Sequence, residues 1–204
     1  MKLFNAITPS NRHRSIHSRS IDNNISLLLK IIPFYINYIL ITKYKKKEIT
    51  ILTSNLHITK LLYIIKNNTN ILLKILTDII CVDYPERKNR FELNYSLLSL
   101  KYNLRINIKT YIDEITLNDS IIKIYPSAMW SEREVWDMYG IFFKNNIDLR
   151  RILTDYGFDG FPMRKDYPLT GYNEIIYDDS HKSLVYQKIN ITQQFRNFDY
   201  KSAW

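Results

Sequence analysis

The sequence predicts an α+β fold, a two-layer domain in which a mixed or antiparallel sheet carries helices on one face. Three features predict it. Apolar residues in LHITKLLYIIKN (56–67) recur at helical spacing. FELNYSLLSL (91–100) and LRINIKTYI (104–112) alternate about a short Lys101-Tyr102-Asn103 connection, which is a hairpin pattern. NEIIYD (173–178) and SLVYQKIN (183–190) form a second such pair.

Taken in order, Asp22 or Asn24 is placed to cap a helix running through Leu and Ile residues toward Thr42, broken near Pro33. KEITILTS (47–54) is β-branched and reads as a strand. The helix of 56–67 follows. ILLKILTDIICVDYP (71–85) fits either a strand or a helix followed by a short strand. After the first hairpin, a helix opens near Ser127, behind Pro126, and Gly140 stands where a helix-terminating glycine belongs. Ile141-Phe142-Phe143 leaves it as a strand. The last residues, TQQFRNFDYKSAW, have no clean period and read as an extended tail. The chain therefore divides into a basic N-terminal arm (1–21), a compact α+β domain (22–172), and late strands with a C-terminal tail (173–204).

The net charge of +9 is unevenly placed. Residues 1–47 hold nine Lys and Arg against one acid, Asp22, while the remainder is nearly neutral. An RNA-binding or mitoribosomal protein using the arm is the alternative reading of this charge. Confinement of the excess to the arm weighs against it, because a dedicated nucleic-acid binder carries its basic face on the fold. The first twenty residues are Arg- and Ser-rich and free of acid, like a mitochondrial transit peptide. An excess of Ile, Asn, Lys and Tyr with little Ala or Gly suggests an AT-rich genome, so we expect an organelle-encoded chain that retains this stretch. Lys30, Pro33 and Asn37 interrupt the apolar run of 25–42, so no membrane span is expected.

Cys81 is the single cysteine, which rules out an internal disulfide and a Cys-rich cluster or zinc site built from this chain alone. No phosphate-binding glycine loop or nucleophile elbow is present. DYGFDGFPMRKD (155–166) imitates a calcium loop, but Gly157 occupies a ligand position and Arg164 and Lys165 bring positive charge. It reads as an ordered, charged loop. His13 and His17 lack a third ligand; His57 and His181 are isolated.

The densest cluster is SEREVWDMYGIFF (131–143). Ser131 and Glu134 have capping-box spacing, Glu132 and Glu134 suit a positive helix end, and Arg133 and Asp137 are i, i+4 partners. With no nucleophile nearby, the composition suits an interface better than a catalytic dyad. In 148–171, Arg150, Arg151, Arg164 and Lys165 alternate with Asp148, Asp155, Asp159 and Asp166, a pattern that can rigidify a long loop. All four glycines fall between 140 and 171.

EREVWDMYGI, DLRRILTDYGF and RKDYPLTGY, with CVDYPERKNRFELNYSLLSLKYN upstream and VYQ and FRNFDY downstream, closely resemble the 30 kDa-type subunit family of respiratory complex I. The resemblance runs from about Lys30 to the C-terminus. It implies a non-catalytic, cofactor-free subunit of the peripheral arm, on the matrix side of the mitochondrial inner membrane. It implies packing against the 49 kDa-type quinone-module subunit, with FMN, iron–sulfur clusters and ubiquinone held by neighbouring subunits. It places Glu132, Arg133, Glu134, Asp137 and Gly140 of the helix in the family's signature. Arg150, Arg151, Tyr156, Gly157, Gly160, Arg164, Lys165, Asp166 and Pro168 of the loop match likewise. These residues, with Trp136, are the expected subunit interface; no catalytic or metal residue is expected. Two positions depart from the family pattern. Asn146-Ile147 stands in place of a Gly/His-Pro pair, and Phe161 in place of a histidine before Pro162.

Overall fold

A computed structural model of the chain describes residues 38–42 and 48–202. The expected basic arm lies outside the described residues, as does most of the helix expected between Asp22 and Thr42. The described end of that stretch is a strand instead. β1 (Tyr38–Thr42) pairs antiparallel with β2 (Glu48–Leu52), register Leu40↔Thr50. YILIT is β-branched and aromatic, and an open edge of β2 satisfies its backbone groups more completely than one helical turn would.

A 3₁₀ turn, Asn55–His57, leads into α1 (Ile58–Asn67), whose Ile58, Leu61, Leu62 and Ile65 form one buried stripe. Each contributes roughly 1.5–3 kcal/mol of burial. Residues 71–85 resolve as a strand, β3 (Ile75–Asp83). The strand wins because β4 (Phe91–Ser99) supplies a full antiparallel partner, with one irregularity between Leu76 and Asp78. β5 (Leu104–Ile112) completes the expected hairpin, with Asn103 at φ 46° in its turn. β2 lies parallel to β5, so the five-stranded sheet, ordered β1-β2-β5-β4-β3, is mixed as expected.

One face of the sheet buries Ile49, Ile51, Leu93, Tyr95, Leu97, Ile106 and Ile108. Both α1 and α2 (Ala128–Tyr139) pack on the same core, α2 through Ala128 and Val135. Two short strands, β6 (Asn118–Asp119) and β7 (Phe143–Lys144), pair in parallel and pin together the chain entering and leaving α2. The strand expected over 141–143 is thus reduced to its end. Asn118 donates to the Tyr95 hydroxyl at 2.9 Å, and Tyr125 donates to the Leu73 carbonyl at 2.6 Å, so these core hydroxyls are partnered.

β8 (Asn173–Asp178) and β9 (Ser183–Lys188) form the second expected hairpin, as a separate two-stranded sheet. Ile175, Ile176, Tyr177, Leu184, Val185 and Tyr186 are all exposed on it. Such a hairpin is marginal alone in water. Residues 189–202 have no regular structure, in line with the expected tail. Among the described residues, no helix is long and apolar enough to cross a membrane.

Candidate functional site

α2 places its charges inside the protein. Glu132 and Asp137 are each 0% exposed and Arg133 is buried. The helix starts at Ala128, one turn earlier than a Ser131 cap requires, so the capping box does not form. Ser131 turns toward Asp78 and Ser127 toward the Leu76 carbonyl. Glu132 and Glu134 accordingly lie beyond the first turn and are not the dipole partners expected of them.

Glu132 accepts three hydrogen bonds: from the Ser120 hydroxyl at 2.7 Å, the Ile121 amide at 2.8 Å and the Asn146 side chain at 2.9 Å. No cation faces it. Burial pushes its carboxyl above the usual range, and the three donors offset this only in part. Asn146 is one of the two departures from the family pattern. Here it joins β7's exit to the helix, and its side-chain oxygen also accepts the Asp148 amide.

Asp137 does not pair with Arg133, as the i, i+4 spacing suggested. One carboxylate oxygen accepts the consecutive amides of Ile152, Leu153 and Thr154 at 3.1, 2.7 and 3.0 Å. The other accepts the Thr154 hydroxyl at 2.6 Å and Arg151 at 3.3 Å. The loop thus presents a nest of N–H groups, an arrangement suited to an anion, and the helix supplies the carboxylate. Burial acts to raise the Asp137 carboxyl, but the Thr154 hydroxyl and the three amides outweigh it and hold the group below the usual range. Arg133 instead donates to the Arg150 carbonyl and lies over Trp130, with Asp148 at 3.9 Å. The local pattern failed because the loop offers fixed amides, whereas an i, i+4 pair gains only about 0.3 kcal/mol.

A second layer of charge clamps the far end of the loop. Arg90 grips Asp83 with two bonds at 2.7 and 2.9 Å and reaches Glu114 and Asp166. Asp83 in turn accepts the Lys165 amide at 2.8 Å. The Arg90 contact foremost holds the Asp83 carboxyl below its ordinary value. Arg164 donates to the Tyr139 carbonyl at 2.7 Å, capping α2, and its guanidinium stacks near the rings of Phe161 and Phe91. Arg151 holds the Gly160 carbonyl with two bonds and also faces Phe161.

Phe161, the other departure, is therefore the hub of the clamp, flanked by Trp136 at 5.9 Å and by two guanidinium groups. Its ring explains Gly140. At φ 76° a Cβ there would meet Phe161 at 2.6 Å and Arg164 at 2.9 Å. Gly160, at φ 101°, is similarly closed by Tyr167 at 2.8 Å.

The structure thus separates the expected site residues into two groups. Glu132, Arg133, Asp137, Arg151 and Arg164 form an internal brace, with Gly140 and Gly160 making room for it. Glu134, Arg150, Tyr156, Gly157, Lys165 and Asp166 are exposed, and Trp136 and Pro168 are half-buried. Sequence reasoning missed Asp83, Arg90, Glu114, Ser120 and Thr154. Asp83 and Arg90 lie in the recognised upstream stretch, but their sequence distance from Lys165 hid the contact.

The braced loop exposes large apolar side chains among its charged ones. Ile147, Leu153, Tyr156, Met163, Leu169 and Tyr172 are exposed along it. Among the described residues, no group of three His, Cys, Asp or Glu is placed to hold a metal ion.

Residues 51–173 match the family described as "Respiratory-chain NADH dehydrogenase, 30 Kd subunit". The chain is 49% identical over 177 residues to "NADH-ubiquinone oxidoreductase subunit 9" of Reclinomonas americana, covering 87% of this chain and 85% of that one. It is 46% identical to the protein of the same name from Prototheca wickerhamii, over 87% and 91% of the two chains. It is 52% identical over 152 residues to "NADH dehydrogenase (ubiquinone) iron-sulfur protein 3" of Solanum tuberosum, over 74% and 80% of the two chains. The fold is shared with a chain of the membrane-bound sulfane sulfur reductase, an archaeal respiratory membrane complex, at TM-score 0.61 and 24% identity, over 72% of this chain and 85% of that one. The buried signature and the extent of these matches make one conclusion plain: the chain belongs to the respiratory-chain NADH dehydrogenase 30 kDa subunit family.

Proposed function

We propose that this protein is a non-catalytic structural and assembly subunit of respiratory complex I. It packs against the 49 kDa-type quinone-module subunit in the peripheral arm, on the matrix side of the mitochondrial inner membrane. It supports electron transfer from NADH to ubiquinone by position alone. The observation that carries this reading is the brace itself. Buried charges fix a long loop that exposes large apolar side chains among charged ones, which is how a fold presents a preformed docking surface. The β8–β9 hairpin and the tail expose further apolar and aromatic side chains, and we assign residues 173–204 to neighbouring subunits. Several relatives are called iron-sulfur proteins, but one buried cysteine cannot supply a cluster's usual thiolate set. FMN, the iron–sulfur clusters and ubiquinone therefore belong to neighbouring chains in this proposal.

The experiment is a native gel of gently solubilised mitochondria, stained for NADH dehydrogenase activity and blotted for this chain. Co-migration is expected. Arg164→Ala or Asp137→Ala is expected to lower the amount of assembled complex while leaving turnover per complex normal. Full assembly with abolished electron transfer, or migration with ribosomes, overturns the reading.

A further inference from the structure

An open groove of about 770 Å³ lies between the 148–171 loop and the β8–β9 hairpin. Its walls are aromatic. Phe158, Tyr167 and Tyr172 stand in series with ring centroids 6.0 and 5.4 Å apart, Tyr186 enters from β9, and Tyr156 is 98% exposed at the mouth. Its charge has one sign. Among the described residues, Asp155 and Asp159 line it and no Lys, Arg or His does, in a chain with a net charge of +9. Asp155 already accepts the Tyr186 hydroxyl at 3.1 Å and the Tyr156 amide at 2.8 Å. Asp159 is exposed and has no hydrogen bond or ion pair with any described residue.

These features select an occupant. Tyrosine faces attract a cation within about 6 Å of the ring centre, and a carboxylate adds a charge-assisted hydrogen bond. An acidic segment would be repelled. A purely apolar one would desolvate Asp159 without a partner, at a cost. The volume falls in the range of roughly 300–1,000 Å³ typical of ligand pockets, room for more than one side chain.

We propose that this groove receives an extended segment of a neighbouring protein subunit, anchored by a Lys or Arg side chain on Asp159. The inference rests on the complex I reading above. The chain's own basic arm is the competing source of a cation. Most of the groove falls within the 51–173 stretch that matches the family, whereas the arm falls outside it, which favours a partner.

The test uses the intact complex. Asp159 is coupled to glycine ethyl ester with a carbodiimide, in the native and the denatured complex, and read by peptide mass spectrometry. The variants Asp159→Asn and Asp159→Lys are compared for incorporation into the activity band. We expect Asp159 to be at least tenfold protected in the native complex. We expect Asp159→Asn to lower incorporation about fivefold, the scale of one partly exposed ion pair, and Asp159→Lys to lower it further. Because Asp159 makes no hydrogen bond or ion pair with any described residue, both variants should melt with the wild-type full chain, which separates docking from folding. Labelling as fast as in the denatured complex overturns the proposal while leaving the chain a complex I subunit. So does a zero-length amide from Asp159 to a lysine of residues 1–47, or wild-type incorporation of Asp159→Lys. Absence of the chain from the activity band overturns both readings together.

Discussion

Asp137→Asn removes one charge from a buried nest and changes almost no volume. The best fit of asparagine turns its carbonyl oxygen to the Ile152, Leu153 and Thr154 amides and its amide nitrogen to Thr154. The three backbone bonds then survive as neutral bonds, but the 3.3 Å contact to Arg151 becomes donor against donor. Losing charge assistance across this set costs about 2 kcal/mol, and Asp137→Ala, which strips the acceptor from three part-buried amides, the Thr154 hydroxyl and Arg151, about 4 kcal/mol. For a chain of this size, 2 kcal/mol lowers Tm by roughly 4–8 °C. The assay is thermal unfolding followed by near-UV circular dichroism, with hydrogen exchange of residues 152–154. The pH dependence gives a second check. The folded carboxyl lies below its ordinary value, so its stabilisation is present above the unfolded value of about 3.9 and is lost as pH falls through the folded one. Asp137→Asn should therefore flatten the acid limb of stability. Wild-type Tm in the asparagine variant, with those amides still protected, would refute the nest as the support of the loop.

Glu132 should behave in the opposite sense. Its folded carboxyl lies above the ordinary value, so its favourable contribution is complete below the unfolded value and declines as pH rises through the folded one. Glu132→Gln should be within about 1 kcal/mol of wild type at pH 8, whereas Glu132→Ala should lose about 3 kcal/mol, as measured by urea denaturation. Gly140→Ala should destabilise by about 2 kcal/mol through its φ and the Phe161 contact, and adding Phe161→Ala should recover part of that loss relative to additivity; a double-mutant cycle measures it. Arg90→Lys should cost about 2 kcal/mol because an ammonium cannot reproduce the paired bonds to Asp83, and proteolysis should then cut sooner near Lys165. Leu61→Ala should lose about 2–5 kcal/mol by opening a cavity under α1, seen as a lower denaturation midpoint with an unchanged slope.

Much of the architecture was legible from residue order. The period of Ile58, Leu61, Leu62 and Ile65, and the alternation from Phe91 to Ile112, are local consequences of which face is buried. Gly140 and the hairpin of 173–188 were legible for a similar reason, since a left-handed turn and a run of β-branched and aromatic residues are properties of a few neighbouring residues. The signature's family membership was also carried by its linear string. What the string could not convey was where its charges point. The spacing paired Arg133 with Asp137 and capped a helix at Ser131, but amides fifteen to seventeen residues further on captured Asp137, and packing on the sheet started the helix earlier. The order β1-β2-β5-β4-β3, the β1 strand in place of a helical end, and the bond from Lys165 to Asp83 across 82 residues arise only when distant segments meet. Local sequence sets which side chains share a face, through backbone geometry. The partner of a buried charge is set by whichever fixed dipoles the completed fold brings within about 3 Å of it, because only there does the interaction exceed the cost of leaving water.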